Sequence, residues 1–352
     1  MQQRRFLVAQ PNGLGDVVHT LPLAGVIKNH FPRAEVFFAA RCYAQAVVMA
    51  CEHVDRFVDF ERICHDPAEL AALKCGVLLN PAINKPLAAA ARSAGIPERI
   101  GNARRSSAWK DCNRFTFYGR SSSGCHEAQL NLMELRAIGV GSVPSREQMV
   151  PLYGLTRIQP LPQDWRRQLE DPRFHLILHP RSRGHGREWP PQHFHALARR
   201  LPADRFRIYL SGVATEGELL RRACPELFAL PQVVDITGRM NLETFISFAA
   251  AADGLVASGT GPLHIAAALG TRTLGLFPPR KGIDIVRWGA LGVRAESMSL
   301  PQRCKPGPGT CPKLSSDGGA CVCMSAISPD QVAERVLGWE AQKRVASDAV
   351  AA

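Results

Sequence analysis

A carboxylate follows a glycine-rich turn near the start of the chain. Asp16 comes after an apolar run at residues 6–9 and a turn at residues 11–15, and it opens a stretch with helical character. Open α/β folds bind ligands beyond the carboxyl ends of their strands, so a carboxylate at this junction could take part in catalysis. Aspartate also suits the positive end of a helix, and Asp16 could simply cap it. Both interpretations stay open on this segment alone.

A second segment in the distal half begins a helix with small residues and a hydroxyl. Residues 257–270 follow an apolar strand and include Thr260, Gly261 and His264. Free backbone N–H groups at a helix N-terminus bind phosphate, and a histidine one turn into the helix could donate to the same anion. The alternative is a helix cap with a histidine satisfied in the core. The segment lacks the Gly-Lys-Ser/Thr ending of a Walker loop.

A third segment is strongly basic. Residues 179–190 leave a predicted strand, enter a helix, and carry Ser182 with three arginines in seven residues, Arg181, Arg183 and Arg187. This density of positive charge at a strand end would suit a pyrophosphate. A solvated basic loop is the alternative.

Short apolar strands alternate with amphipathic helices in both halves of the chain. The predicted strands are 6–9, 35–39, 54–58, 76–80, 175–179, 206–210, 232–235, 254–257 and 273–277. This alternation predicts an α/β fold class with two Rossmann-like, doubly wound domains that face each other across a cleft. The proline-containing region 140–173 is interpreted as the connection. We assign residues 1–160 to a first domain, 161–330 to a second, and 331–352 to a final helix and tail.

Composition narrows the class of protein. The 352 residues are 46% hydrophobic and 21% charged, which is typical of a soluble globular protein with room for two domains. No apolar run approaches the length of a membrane span, and the basic start is interrupted too soon by proline for a signal peptide. We therefore expect a cytoplasmic protein.

The net charge of +12 is concentrated in one region. Residues 81–120 hold eight Lys or Arg against two acidic residues, and Lys85, Arg104, Arg105 and Lys110 are among them. Such a concentration indicates an anionic partner, although a generally basic solvated surface is the alternative. Only 7% of the residues are aromatic and there is no nucleic-acid-binding signature, so we expect no nucleic acid partner.

The eleven cysteines are an odd number without a regular framework, which predicts mostly reduced thiols. Cys304, Cys311, Cys321 and Cys323 cluster in a Gly/Pro-rich stretch, but paired C-x2-C zinc spacing is absent. Free thiols are favoured there over a metal site.

Five segments together resemble glycosyltransferase family 9, the heptosyltransferase-like enzymes of lipopolysaccharide core assembly. They occur in the family's order along nearly the whole chain and read GDVVHTLP at 15–22, CHEA at 125–128, REWPPQHF at 187–194, GRMNL at 238–242 and GPLHIAAALG at 261–270. The resemblance implies the GT-B type of glycosyltransferase fold, with the acceptor bound by the first domain and a nucleotide sugar by the second.

The resemblance also implies roles for individual residues. Asp16 matches the general base that removes the proton from the acceptor hydroxyl in an inverting transfer. Positive groups and a helix dipole would replace a metal, so no metal or cofactor is expected, and the nucleotide sugar is a substrate. The expected donor-binding residues are Ser182, Arg187, Glu216, Met240, Thr260, Gly261 and His264. The expected acceptor-binding residues are Gly15, His19, Lys85, Arg104 and Arg105.

The expected donor is ADP-heptose, and the expected acceptor is an anionic glycolipid or glycan of the lipopolysaccharide core. Such an acceptor implies peripheral contact with the cytoplasmic face of the inner membrane. Two departures from the family pattern bear on the donor. Gly259 replaces an Asp expected to contact the sugar, and Arg187 replaces a Lys.

Several alternatives stay open. The chain could use another nucleotide sugar, act as a nucleotide-sugar epimerase, or bind a glycan or nucleotide without catalysis. A dinucleotide-dependent oxidoreductase is disfavoured, because residues 13–16 lack the third glycine of the G-x-G-x-x-G fingerprint.

Overall fold

The computed structural model describes residues 4–120, 123–182, 187–302 and 321–351, with side chains up to residue 346. The chain forms two compact units, Met1–Ile158 and Gln159–Ala352. They are called unit 1 and unit 2 below. Among the described residues, no helix has both the length and the apolar character needed to cross a membrane.

Unit 1 is built on a parallel sheet of six strands in the order β3-β2-β1-β4-β5-β6. This is the Rossmann order, in which the chain reverses direction across the sheet between β1 and β4. The strands are β1 Arg5–Ala9, β2 Glu35–Ala40, β3 Arg56–Asp59, β4 Val77–Leu79, β5 Glu98–Asn102 and β6 Arg114–Thr116.

Helices fill the connections of unit 1. They are α1 Leu14–Val18, α2 Leu21–His30, α3 Gln45–Ala50, α4 Phe60–Ile63, α5 Pro67–Ala72, α6 Lys85–Ser93, α7 Ala108–Asp111, α8 Glu127–Leu132 and α9 Arg146–Met149. Short 3-10 segments occur at Cys42–Ala44, Met133–Ile138 and Val150–Tyr153. Helix α6 shows why such segments begin where they do, because the Asn84 side chain accepts a hydrogen bond from the Leu87 N–H at 3.0 Å.

Alternate residues of the unit 1 strands form a core on one face of the sheet. Leu7 and Ala9 of β1 pack with Phe37 and Ala39 of β2 and with Leu78 of β4. The intervening residues, such as Phe6 and Val8, are also fully buried. Both faces of a parallel sheet are covered by helices, so its central strands are apolar throughout.

Unit 2 repeats the same architecture. Its six parallel strands have the order β12-β11-β10-β7-β8-β9, which is again the Rossmann order with the reversal between β7 and β10. The strands are β7 Phe174–His179, β8 Phe206–Leu210, β9 Val233–Asp235, β10 Gly254–Ser258, β11 Arg272–Leu276 and β12 Ala295–Met298. The helices are α10 Gln163–Gln168, α11 Pro191–Arg200, α12 Ala214–Ala223, α13 Pro225–Phe228, α14 Leu242–Ala251, α15 Gly261–Ala268, α16 Ile285–Trp288, α17 Val322–Ser325 and α18 Pro329–Ala351.

The sheet of unit 2 buries a core on each face. Leu176, Leu178 and Val256 contribute to one cluster, which also holds Trp189 and the α18 residue Trp339. Ile177, Leu255 and Ala257 contribute to the opposite cluster. The final helix therefore packs as part of unit 2.

The predicted α/β class with two Rossmann-like domains is confirmed. All nine predicted strands are present, and three further strands, β5, β6 and β12, complete the sheets. The helix predicted after Asp16 is instead two helices, α1 and α2, separated at His19 and Thr20. Pro22 lies in the first turn of α2, where a missing N–H does not weaken the helix.

Candidate functional site

Four predicted site residues of unit 1 follow three neighbouring strands. Asp16 follows β1, Lys85 follows β4, and Arg104 with Arg105 follows β5. These strands are adjacent in the sheet order and parallel, so their carboxyl ends lie at the same edge. The reversal between β1 and β4 is the place where open α/β sheets bind ligands. The fold therefore brings a carboxylate and three cations to one edge of unit 1.

Asp16 lies in the first turn of α1 and is half-buried. Gly13 is the N-cap residue, and its carbonyl accepts the Val17 N–H at 3.1 Å. A Cβ at Gly13 would lie 3.5 Å from the Asp16 Oδ2, so the carboxylate is directed back over the start of the helix. The idea that Asp16 is the N-cap is therefore wrong in its simple form. A favourable interaction with the helix dipole remains.

A buried hydroxyl fixes the turn that carries Asp16. Thr20 Oγ1 donates to the Asp16 carbonyl at 2.7 Å and accepts from Gln10 Nε2 at 3.2 Å and Asn131 Nδ2 at 3.0 Å. Asn131 also donates to the His19 carbonyl at 3.1 Å. The end of α1 is thus held by Gln10, just after β1, on one side and by Asn131 of α8 on the other.

Asn131 is itself held by a buried ion pair. Arg120 donates from Nη2 to the Asn131 Oδ1 at 2.8 Å and forms a salt bridge with Glu127. Both side chains of the pair are largely buried. Such a pair keeps its geometry because breaking it would leave a charge buried without a partner.

His19 is placed in the interior and not at the surface. Its side chain is 1% exposed, Nδ1 lies 3.0 Å from the Tyr153 hydroxyl, and the ring meets His126 edge-on at 4.8 Å. Burial raises the pKa of Tyr153, so its hydroxyl stays neutral beside the imidazole. Its position favours support of α1 over contact with a ligand.

Glu134 is a buried carboxyl behind the same edge. Its Oε2 accepts the Asn80 N–H at 3.0 Å, just beyond the end of β4. Burial raises its pKa to about 8, opposed by the positive charge of Arg120 and the hydrogen bond from Asn80. The carboxyl is therefore protonated at neutral pH, and the charged form is disfavoured by desolvation.

The basic region divides into structural and available cations. Arg92, Arg99, Arg114 and Arg120 bind carboxylates or backbone carbonyls within unit 1. Lys85, Arg104, Arg105 and Lys110 are exposed, and none of these four has a carboxylate within ion-pair distance among the described residues. Three of the four are predicted acceptor-binding residues.

The predicted donor residues of unit 2 also lie at one edge. Ser182 and Arg187 follow β7, Thr260 and Gly261 follow β10, and these two strands are neighbours at the reversal point. Glu216 follows β8 and Met240 follows β9, further along the same edge. This is the second ligand-binding edge that the fold provides.

Two polar groups at the β7 and β10 ends have no hydrogen-bond partner among the described residues. They are the Thr260 Oγ1 and the Arg187 Nε, both shielded from solvent. Thr260 is the N-cap residue of α15, but its side chain does not cap the helix. Buried polar groups are nearly always satisfied, so these two are candidates for hydrogen bonds to a bound ligand. His264 lies one turn into the same helix and is 3% exposed.

The segment that carries Arg187 is fixed to β10. The Trp189 N–H donates to Ser258 Oγ at 3.0 Å, and the Trp189 Nε1 donates to the Ile327 carbonyl at 3.0 Å. Trp189 itself is fully buried. The position of Arg187 near the start of α15 therefore follows from packing in the core of unit 2.

Ser182 is engaged by a carboxylate. Glu188 Oε1 accepts from the Ser182 N–H at 2.7 Å and its hydroxyl at 3.0 Å, and Glu188 Oε2 lies 3.0 Å from Arg181 Nη1. The hydrogen-bond donors of Ser182 and Arg181 thus bind the carboxylate of Glu188. Arg183 lies outside the described residues.

Glu216 and Met240 are linked through their loops. Glu216 is 7% exposed and its Oε2 accepts the Val213 N–H at 2.9 Å, which caps α12. Gly238, two residues before Met240, has a positive φ of 71° and packs against the start of α12, where a Cβ would lie 2.8 Å from the Ala214 Cβ. Met240 is half-buried beside this turn.

A structural cause explains the glycine at position 259. A Cβ at Gly259 would lie 2.5 Å from Cε1 of Phe277, which is 2% exposed. The other edge of that ring lies 2.6 Å from the position of a Cβ at Gly275. An aspartate at position 259 would require the Phe277 ring to move.

The nine described cysteines are free thiols, and Cys321 is buried in the core of unit 2. Burial raises the pKa of Cys51 and Cys75 to about 12, so both stay protonated. Within the described parts of the chain, no three His, Cys, Asp or Glu residues are placed to hold a metal ion. Cys304 and Cys311 lie outside the described residues.

Sequence patterns did not single out the support behind Asp16. Glu127, Asn131 and Glu134 recur at intervals of three or four residues in an otherwise apolar stretch. Such a polar stripe on a buried helix is a signal for an internal network, because buried polar groups need partners. Arg120 and Gln10 had no comparable local signal.

Comparisons with known proteins agree with this architecture. The model of glycosyltransferase family 9 (heptosyltransferase) matches residues 153–312. No curated protein sequence matches the chain.

Solved structures share the whole fold. The E. coli ADP-heptose LPS heptosyltransferase II is 18% identical with a TM-score of 0.74, and the match covers 97% of this chain and 99% of that one. A glycosyl transferase family 9 protein from Veillonella parvula is 16% identical with a TM-score of 0.73, covering 96% and 97%. The E. coli heptosyltransferase WaaC with ADP is 18% identical with a TM-score of 0.67, covering 95% and 99%. The predicted resemblance to glycosyltransferase family 9 is confirmed by the match of residues 153–312 to the model of that family, glycosyltransferase family 9 (heptosyltransferase).

Proposed function

We propose that the chain is an inverting glycosyltransferase that moves a heptose from ADP-heptose onto a lipopolysaccharide core or a related anionic glycan. Unit 2 binds the donor and unit 1 binds the acceptor. Asp16 is the general base.

The observation that carries the proposal is the pair of unsatisfied polar groups in unit 2. Thr260 Oγ1 and Arg187 Nε are shielded from solvent without a partner among the described residues, beside the N-terminus of the eight-residue helix α15. A diphosphate would accept hydrogen bonds from both and would benefit from the helix dipole. Positive groups of this kind stabilise the charge that grows on a leaving nucleoside diphosphate.

The related solved structures support the choice of donor. WaaC from E. coli has been solved with ADP and with ADP-2-deoxy-2-fluoro heptose. The family model matches residues 153–312, which include both unsatisfied groups. An adenosine diphosphate sugar is therefore the first donor to test.

The chemistry in unit 1 follows from the position of Asp16. Its carboxylate takes the proton from an acceptor hydroxyl while that oxygen forms a bond to the anomeric carbon. The bond from the anomeric carbon to the diphosphate oxygen breaks, and the diphosphate leaves with the electron pair. The exposed cations Lys85, Arg104 and Arg105 supply positive charge for an anionic acceptor at the same edge of the sheet.

A second candidate, the same transfer with a different nucleotide sugar, is favoured by one observation. Phe277 fills the space that a side chain at Gly259 would need, so the carboxylate expected to contact the sugar is absent. A donor that needs no carboxylate contact at that position would suit this site.

Thermal unfolding with a panel of nucleotide sugars tests the donor. ADP-heptose at a concentration of about 100 Kd should raise the Tm of the full chain by about 5–10 °C. Arg187→Met should lose most of that shift. Arg222→Met, which removes an exposed arginine of α12, is the matched control and should keep it.

The outcomes separate the candidates. A larger shift and faster transfer with another nucleotide sugar would favour the second candidate. If no nucleotide sugar raises the Tm of the wild-type chain, the transferase proposal fails. An equal shift in Arg187→Met would remove this arginine from the donor site.

A further inference from the structure

Three aromatic side chains are exposed together on unit 1. Trp109 is 63% exposed, Phe115 38% and Phe117 75%. The rings of Trp109 and Phe115 stack with centroids 4.9 Å apart and planes at 25°. These three residues are called the aromatic patch. Single exposed apolar residues are ordinary, whereas contiguous ones mark an interaction surface.

The fold presents the patch outward. Phe115 and Phe117 alternate with the buried Thr116 and Tyr118 along β6 and just beyond it, so both phenylalanines lie on the outer face. Strand β6 is at the edge of the sheet. Polar side chains normally occupy the outward positions of such a strand, and here aromatic rings do.

The position of Trp109 is fixed. Its Nε1 donates to the Ala103 carbonyl at 2.9 Å, which holds the indole over Phe115. The ring is therefore displayed by α7 in one orientation and is not a mobile side chain on a loop.

Basic side chains surround the patch. The Arg104 guanidinium lies 5.5 Å from the centre of the Phe117 ring, and Arg105 and Lys110 are exposed in the same segment. Arg114 is also exposed, but it is paired with Glu98 of β5 at 3.6 Å. The only acidic residue among positions 103–118, Asp111, is buried beside Arg92. The exposed charge around the rings is therefore positive.

We propose that the aromatic patch and its basic surround bind the surface of a membrane that contains anionic lipids. Tryptophan and phenylalanine insert at the boundary between head groups and acyl chains, while lysine and arginine bind the phosphates. The proposal rests on the exposure and charge of these residues. One further expectation rests on the proposed function: a lipid-linked acceptor would reach Arg104 and Arg105 at the carboxyl-end edge of the unit 1 sheet.

Co-sedimentation of the full chain with lipid vesicles tests the proposal. Vesicles of phosphatidylglycerol and phosphatidylcholine, without acceptor or donor, should bind the chain, and phosphatidylcholine alone should bind it at least about tenfold less. Lys110→Gln should lower the partition coefficient about fivefold, and Phe117→Ala should lower it at least as much. Val293→Ala and Arg222→Gln, exposed positions of unit 2, are matched controls and should bind like the wild type.

Tryptophan fluorescence gives an independent readout. Trp109 is the one tryptophan of the five that lies in residues 1–158. Brominated phosphatidylglycerol should quench part of the emission of the wild-type chain, and Trp109→Phe should abolish that part while vesicle binding largely persists. This second result does not depend on a variant that weakens the fold.

Several results would overturn the proposal. They are equal binding to neutral and anionic vesicles, unchanged binding in Phe117→Ala, and quenching that persists in Trp109→Phe. Concentration-dependent dimerisation of the wild type that Phe117→Ala abolishes would assign the patch to a second copy of this chain instead. Transfer to a soluble, delipidated acceptor tests the proposed function separately, and Phe117→Ala should retain it.

Discussion

The buried carboxyl of Glu134 should make the stability of unit 1 depend on pH in an unusual direction. In the folded chain burial raises its pKa from 4.5 to about 8. Between these two values the folded state keeps a proton that the unfolded state releases. The free energy of unfolding therefore falls as pH rises across this range, by at most about 1.4 kcal/mol per pH unit.

Glu134→Gln removes the proton and keeps the shape. The amide oxygen can still accept the Asn80 N–H that Glu134 Oε2 accepts at 3.0 Å. At pH 5.5 the free energy of unfolding of the variant should already exceed that of the wild type by about 1.4 kcal/mol, because the unfolded carboxyl is mostly ionised while the folded one keeps its proton. Between pH 5.5 and pH 7.5 this difference should grow by about 2–3 kcal/mol, since the other titrating groups cancel in the comparison.

The suitable assay is urea unfolding in which hydrogen–deuterium exchange of unit 1 peptides reports the transition of that unit. A whole-chain signal could mix two transitions, because the chain has two compact units. Glu147→Gln is the control. A hydrogen bond from its own backbone N–H and one from Ser145 lower the pKa of Glu147, so it is ionised in both states over this range and the difference should be flat. A constant difference between Glu134→Gln and the wild type at both pH values would refute the reasoning.

Two further predictions concern the support of each unit. Asn131→Ala should lower the free energy of unfolding by about 2–4 kcal/mol, because it removes the hydrogen bond to Thr20 and leaves Arg120 short of an acceptor. Asn131→Asp keeps the acceptor for Arg120, so its free energy of unfolding, measured in urea, should fall by less. Gly259→Ala should cost about 1–3 kcal/mol through overlap with Phe277, and Phe277→Leu in the same chain should recover part of it in thermal unfolding. Equal stability of Asn131→Ala and wild type, or no recovery in the double variant, would contradict these contacts.

The central strands were predictable because their residues are uniformly apolar. The strand Phe174–His179 is buried at every position, and such runs indicate a parallel sheet without reference to the rest of the chain. The strands that escaped prediction lie toward the sheet edges. β5 contains one aliphatic residue, Ile100, and β12 reads Ala-Glu-Ser-Met. Their pairing comes from neighbouring strands and not from their own composition.

The ends of strands were also predictable as ligand-binding positions. Thr260 and Arg187 follow apolar strands and precede helices, and the structure leaves a polar atom of each unsatisfied among the described residues. Local spacing could not reveal that Asn131 reaches Thr20, because 111 residues separate them. It also could not reveal that Phe277 excludes a side chain from position 259, since that contact joins two different strand ends.

The substitution Asp16→Asn tests the central claim most directly. Asp164→Asn is the matched control, because Asp164 also lies in the first turn of a short helix, α10, and both changes remove a carboxylate that favours the helix dipole. If Asp16 is the general base, kcat should fall about 10²–10⁴-fold in Asp16→Asn, while the Kd for ADP-heptose stays within about twofold of wild type. Asp164→Asn should keep wild-type kcat. Turnover of Asp16→Asn at the rate of Asp164→Asn would contradict the account and leave Asp16 with a structural role alone.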